Sequence, residues 1–178
     1  MSQKLQPGIM FPELPVKNEK GERVDISKPA GDYYWRMIVT HRGNHCPKCT
    51  QYLQSLNCYV PRLLDIGIDV VAVSGDSQDQ LKDHLEETGI EFPMYCGLTI
   101  EQMTLLGLYI SEIAPWKDSD HIFSEPGMFI INAEGRVQII DICNSPFMRP
   151  DLDLLVSGLE WMRQPGVEYP VRGTWEQL

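Results

Sequence analysis

Apolar residues along the chain fall into two kinds of pattern, and their order predicts the architecture. Tyr33-Tyr-Trp-Arg-Met-Ile-Val-Thr40 and Gly67-Ile-Asp-Val-Val-Ala-Val-Ser74 are short, nearly continuous runs of aromatic and β-branched residues. That composition predicts strands running through the core, the second covered on both faces as in a parallel sheet. From Cys46 to about Leu64 the apolar positions Cys49, Leu53, Leu56, Val60 and Leu63/Leu64 instead recur every three or four residues. This spacing predicts a helix with one buried face, kinked or interrupted in its last turns by Pro61. Residues 77–88 read as a solvated helix, capped by Asp76 or Ser77 and closed by Gly89.

The proline-rich stretch 6–15 reads as extended chain, and 16–26, with a turn at 18–21, predicts a small hairpin. Residues 92–96 form a short extended piece, and 99–106 a helical one. Met128-Phe-Ile-Ile131 and Val137-Gln-Ile-Ile-Asp-Ile142, joined by residues 132–136, read as an antiparallel hairpin. Leu152, Leu155, Val156, Leu159 and Met162 line one side of a closing amphipathic helix over 150–162. Strands alternating with helices, ending in an antiparallel pair, predict an α/β fold with a mixed central sheet flanked by helices and an N-terminal β-hairpin extension, which suits a thioredoxin-like fold. No repeat, low-complexity tract or linker divides residues 1–178, so a single domain is expected, with a tail over 164–178.

Charge narrows the function classes. Fifteen Lys and Arg against 25 Asp and Glu give a formal net charge of -10, which argues against a broad surface for nucleic acid or anionic membrane. The apolar runs are only a few residues long, and the opening MSQKLQPGIM lacks the cationic flank and apolar stretch of a secretory leader. A soluble, cytoplasmic protein is the expectation. Its five cysteines (Cys46, Cys49, Cys58, Cys96, Cys143) are odd in number and too scattered for a disulfide scaffold. They suit a reducing compartment and thiols that do chemistry.

Cys46-Pro47-Lys48-Cys49 carries the most information, because it lies where a core strand hands over to a helix. A cysteine at a helix N-terminus meets the positive end of the helix dipole and free N–H groups, which favour its thiolate. Lys48 and His45 add nearby positive charge. Cys46 is therefore the expected nucleophile, and Pro47 supplies the fixed φ of a first helical turn. Three residues on, Cys49 returns to the same face, within reach of a disulfide that resolves an oxidised Cys46. A zinc site is the competing reading, but no second C-x-x-C or later H-x3–5-H follows, only His41-x3-His45 ahead of the motif. Two cysteines that merely pack is the third.

The run Arg42-Gly-Asn-His-Cys-Pro-Lys-Cys49 resembles the R-G-x-W-C-P-x-C signature of the peroxiredoxin-like branch of the alkyl hydroperoxide reductase/thiol-specific antioxidant (redoxin) family. Matching segments follow in family order, from Pro7-Gly8 through Val70-Val-Ala-Val-Ser-Gly-Asp76, Phe92-Pro93 and Leu106-Gly-Leu-Tyr109 to Pro126-Gly-Met-Phe-Ile-Ile-Asn132 and Gly135. The resemblance spans residues 5 to 163 and implies a thioredoxin fold with thiol-dependent redox chemistry. Two departures stand out. Peroxiredoxins carry P-x-x-x-[TS]-x-x-C, whereas Gly43 stands three residues before Cys46 and Val39 seven before it. They also place an arginine just ahead of the G-x-F-I-I-D-like strand, where this chain has Pro126. Thioredoxin-type proteins have a proline there, usually cis, packed against the two cysteines; the resemblance assigns Pro126 that role, the other reading being a proline that simply starts a strand.

Arg42 is the remaining candidate to stabilise thiolate or peroxide, unless it is a solvated loop arginine, and His45, where the family has tryptophan, is either an imidazolium that favours the thiolate or an exposed loop histidine. Cys58, nine residues beyond Cys49, is two and a half helical turns away. Cys96 and Cys143 read as small core residues at strand ends, with a distal resolving role as the lesser reading, and His84 and His121 have no motif around them. The tail keeps Tyr169, Val171 and Trp175, which pack on the domain, pack on a second copy in a homodimer, or fray. The expected activity is reduction of peroxides or disulfides by a Cys46/Cys49 pair, with no metal or organic cofactor and with thioredoxin or a glutathione-like thiol as reductant. The alternatives are a redox-sensing or interaction module and, less favoured, the zinc protein.

Overall fold

The computed structural model describes residues 5–116 and 118–175. The first four residues of the opening stretch read above for a leader and the last three of the tail lie outside them. The elements are β1 (Pro15–Lys17), β2 (Arg23–Asp25), β3 (Trp35–Thr40), α1 (Pro47–Asn57), α2 (Val60–Asp65), β4 (Ile68–Val73), α3 (Gln78–Thr88), β5 (Met94–Tyr95), α4 (Ile100–Leu105), β6 (Ile110–Ser111), β7 (Phe123–Ser124), β8 (Gly127–Ile131), β9 (Val137–Ile142) and α5 (Leu152–Met162). The central sheet runs β5-β4-β3-β8-β9. β3, β4 and β5 are parallel, β8 lies antiparallel to β3, and β9 antiparallel to β8. This is the mixed thioredoxin-like α/β sheet expected from the sequence.

Alternate residues of the buried strands feed two cores, as the two-residue period of a strand requires. Met37, Val39, Val70, Ala72, Met128 and Ile130 meet apolar residues of α1, α2 and α5 on one face. Ile38, Val71, Val73, Phe129 and Ile131 meet Leu14, Val16 and Ile26 of the N-terminal region and Met103 of α4 on the other. The β1–β2 hairpin joins the sheet through reciprocal backbone bonds between Lys17 and Cys96, 2.9 and 3.0 Å long. Arg36 and Asp69, directly paired on β3 and β4, form a buried two-point ion pair that also accepts the Ala30 N–H and donates to the Ile26 carbonyl. Among the described residues no helix is long and apolar enough to cross a membrane.

The expected helix over 46–64 is two helices. Pro61 has no N–H to donate to the carbonyl of Asn57, and its ring crowds that carbonyl. α1 therefore ends at Asn57, and Pro61 sits in the first turn of α2. Ser77, rather than Asp76, caps α3 in a capping box with Gln80, and Gly89 closes it in the left-handed conformation at φ 64°. The sequence pattern did not indicate the small β6–β7 pair, in which Phe123 is buried.

Candidate active site

The C-terminal ends of β3 and β4 lie on one edge of the sheet. β9 runs parallel to β3 across the intervening β8, so its C-terminal end lies there too. Residues 41–46, 74–76 and 143–149 thus converge on one place, the usual location for chemistry in α/β sheets. Cys46 is the N-cap of α1 in an extended conformation, and its sulfur accepts the Cys49 N–H at 3.2 Å. Pro47 begins the helix, where its missing N–H costs nothing. Both cysteines are unbonded and buried, with exposures of 2% and 0%.

The two thiols are driven apart in acidity. A hydrogen bond from the Cys49 thiol is the largest influence holding Cys46 down at about 6; burial opposes it, while the Cys49 N–H, Arg42 and Arg149 reinforce it. The same sulfur–sulfur contact and burial push Cys49 well above an ordinary thiol. Of the reduced pair, Cys46 is the sulfur disposed to ionise and Cys49 the one disposed to keep its proton.

Of the charges the motif suggested, Arg42 acts on Cys46, whereas Lys48 and His45 do not supply one. Lys48 is exposed and its ammonium reaches Gln51 at 3.2 Å, on the outer face of α1. Burial and then the Arg42 charge hold the His45 imidazole below its ordinary value, so at neutral pH it is not the imidazolium expected. Arg42 is only partly exposed, spans Asp118 at 3.4 Å and Glu125 at 3.5 Å, and lies 4.6 Å over the Phe123 ring. The second cation, Arg149, precedes α5 and donates to the Cys49 sulfur at 3.0 Å. No motif marks it. The signal that could have found it is topological, because a β9 parallel to β3 must deliver the following loop to the Cys46 edge.

Pro126 is buried immediately before β8, but the bond preceding it is trans, in contrast to the cis bond usual in thioredoxin-type proteins. Its carbonyl is occupied, accepting the Cys143 N–H at 3.1 Å and facing the Cys143 thiol at 3.6 Å. Gly43, at the position of the missing family hydroxyl, has φ +134°, and a Cβ there would stand 2.3 Å from Asp76 Oδ1 and 3.0 Å from His45 Nδ1. Only glycine fits.

The four histidines, two of them unmarked by any motif, gather in two pairs beside this edge. His41 and His84 have ring centroids 5.6 Å apart, and His45 and His121 6.2 Å. Thr50 Oγ1 lies 2.9 Å from His84 Nε2, and the buried Asp76 accepts the Asn44 N–H at 2.9 Å and sits 3.5 Å from His121 Nε2. Even so, among the described residues no three His, Cys, Asp or Glu side chains are grouped to hold a metal ion. Cys58 is exposed at the end of α1, and Cys96 is buried, with its thiol pushed up by that burial.

Comparison with known proteins agrees with this geometry. No curated protein sequence matches the chain. Among solved structures it is similar to a peroxiredoxin-like protein from Aquifex aeolicus, with 22% identity over 90% of this chain and 89% of that one and a TM-score of 0.73. It is also similar to the thiol peroxidase from Chromobacterium violaceum, with 15% identity, 92% and 91% coverage and a TM-score of 0.71. A cysteine-to-serine mutant of Xylella fastidiosa PrxQ gives 15% identity, 91% and 99% coverage and a TM-score of 0.70. At these identities the likeness establishes the fold. The family is given by the AhpC/TSA model, which matches residues 7–140. With that match over most of its 178 residues, and its paired cysteines at the strand-to-helix junction, the chain belongs to the AhpC/TSA family and is a peroxiredoxin-like, thiol-dependent oxidoreductase.

Proposed function

We propose that the chain reduces peroxides, with Cys46 as the attacking thiolate and Cys49 as the resolving thiol. The observation that carries this reading is the burial of both sulfurs, 2% and 0% exposed, around a Cys46 already ionised near neutral pH. A peroxide is small enough to reach such a sulfur. A protein disulfide needs in addition an open backbone edge, and beside Pro126 the Glu125 N–H is already given to the Tyr109 carbonyl at 2.8 Å.

In the first step Cys46 sulfur attacks the distal peroxide oxygen and the O–O bond breaks. The hydroxyl of the distal oxygen stays on Cys46 as a sulfenic acid, and the departing alkoxide or hydroxide takes a proton from water to leave as alcohol or water. Cys49 then gives up its proton and attacks the Cys46 sulfur, expelling the hydroxyl as water and leaving the Cys46–Cys49 disulfide. Arg42 has the charge and donors to steady the attacking sulfur; Pro47 opens the helix that Cys46 caps, His45 and Pro126 are assigned supporting roles by sequence position, and Lys48 points to the outside. A dithiol such as thioredoxin, or glutathione, returns the pair to the reduced form in a reducing, cytoplasmic setting. The tail packs on the domain through Tyr169, whose ring lies 5.6 Å from that of Trp161, and the homodimer is proposed from the family alone.

The test is the second-order rate at which the reduced protein loses thiols to hydrogen peroxide, to an organic hydroperoxide and to a small disulfide. Oxidation by peroxide far faster than for an ordinary thiol, lost in Cys46→Ser, is expected. A rate no faster than free cysteine, together with rapid exchange with disulfides, would replace this reading with that of a disulfide reductase.

A further inference from the structure

Arg149 has four ties around the cysteine pair. One guanidinium nitrogen donates to the Cys49 sulfur at 3.0 Å, and the other to the Pro146 and Lys48 carbonyls at 3.3 and 3.5 Å. Its carbon lies 5.0 Å over the ring of Tyr52, one turn beyond Cys49 on α1. Nε is buried with no hydrogen-bond partner. Tyr52 is itself fixed, its hydroxyl donating to the Pro150 carbonyl at 2.9 Å. The guanidinium is thus clamped between the first turns of α1 and the loop entering α5, with its charge at the sulfur that must attack second.

That placement meets a specific chemical need. Once Cys46 is a sulfenic acid it is no longer an anion able to accept the Cys49 proton. Cys49 must then become a thiolate in a site with no exposure to water, which is costly without a compensating charge. A permanently charged guanidinium in hydrogen-bonding contact supplies it. We propose that Arg149 is the positioning residue for resolution, holding Cys49 and stabilising its thiolate as it attacks the Cys46 sulfur. The inference rests on the reading of Cys46 as attacker and Cys49 as resolver. It differs from the placement the resemblance leads one to expect, an arginine just ahead of β8, because here the cation comes from the other end of the β8–β9 hairpin and contacts the second cysteine.

The bond changes are those of the second step above. Cys49 loses a proton, its sulfur forms the S–S bond, the Cys46 S–O bond breaks, and the leaving hydroxide takes up a proton to become water. Arg149 stays protonated throughout.

The experiment separates the two steps. Reduced full-length protein is mixed with one equivalent of hydrogen peroxide and quenched over time with a sulfenic-acid trap and an alkylating agent. Cys46 and Cys49 are then mapped by mass spectrometry. For Arg149→Met, loss of the Cys46 thiol is expected to slow by no more than about threefold, since Arg149 is a minor influence on that sulfur. Disulfide closure is expected to slow by about 10- to 100-fold, the size of a lost hydrogen bond to a charged group. Cys46 sulfenic acid would accumulate, and sulfinic acid with excess peroxide. Arg149→Lys keeps a charge and should recover part of the closure rate, which a merely structural role for the loop would not predict. Closure at the wild-type rate in Arg149→Met, or a Lys variant no better than Met in a protein of unchanged thermal stability, would overturn the inference. Wild-type protein that forms neither Cys46 sulfenic acid nor the disulfide would overturn the peroxidase reading itself.

Discussion

The acidity of Cys46 is the property most open to a quantitative test, because its largest cause is one identifiable group. Moving a thiol from 9.0 to about 6 stabilises its anion, relative to that of an ordinary thiol, by roughly 4 kcal/mol. The leading contribution is the hydrogen bond from the Cys49 thiol, and a hydrogen bond to a charged group contributes about 1.5–3 kcal/mol. Cys49→Ala removes that donor but keeps the backbone N–H, so the Cys46 midpoint should rise by about one to two pH units. At pH 7 the thiolate-to-thiol ratio would fall from about 10:1 to between about 1:1 and 1:10, and alkylation would slow by about two- to tenfold. Cys49→Ser retains a hydroxyl donor and should leave the midpoint close to 6. The assay is the rate of iodoacetamide alkylation of Cys46 against pH, read by mass spectrometry. The sign is fixed: Cys46 loses its nucleophilic form as pH falls through its midpoint, so the wild-type rate climbs from pH 5 and flattens above about pH 7. An Ala variant still titrating near 6, or a Ser variant raised as far as Ala, would refute the assignment of the shift to the sulfur–sulfur contact.

Two further substitutions probe the frame of the site. Gly43→Thr restores the family hydroxyl in sequence but forces a side chain into the Asp76 carboxylate at a φ that only glycine holds easily, so peroxide reactivity should fall and stability should drop by about 2 kcal/mol or more. Denaturant unfolding and peroxide kinetics check this, and a faster enzyme would contradict it. Asp69→Ala leaves the Arg36 guanidinium buried without its partner and should cost about 3–5 kcal/mol. Chemical denaturation of Asp69→Ala beside the charge-free double replacement Arg36→Met/Asp69→Leu should show the double variant losing less.

Much of this molecule is legible in its sequence because each level points the same way. The runs at 33–40 and 67–74 can only be satisfied as covered strands, and the C-P-x-C between a strand and a helical period fixes the first cysteine at a helix N-terminus. What stayed hidden has physical reasons. The β6 and β7 segments are two residues each, too short to show a period, and are held by Phe123 packing under Arg42 and His45. The interruption of the first helix falls at Asn57 rather than at Pro61, since the conflict lies with the carbonyl four residues earlier. Proximity in sequence misled on charge. Lys48 adjoins the cysteines in the chain yet faces Gln51, whereas Arg149, 100 residues from Cys49, touches its sulfur. His84 and His121 likewise reach this edge only through tertiary packing on α1 and on Asp76.

The central claim is that electrons pass to the substrate through Cys46 and then Cys49. It is tested most directly by exposing reduced protein to one equivalent of peroxide and mapping every cysteine. The account predicts one new bond, Cys46–Cys49, with Cys58, Cys96 and Cys143 still reduced. It also predicts arrest at a Cys46 sulfenic acid in Cys49→Ser and no reaction in Cys46→Ser. Oxidation centred on Cys58 or Cys143, or a Cys46→Ser protein that still consumes peroxide at the wild-type rate, would contradict it.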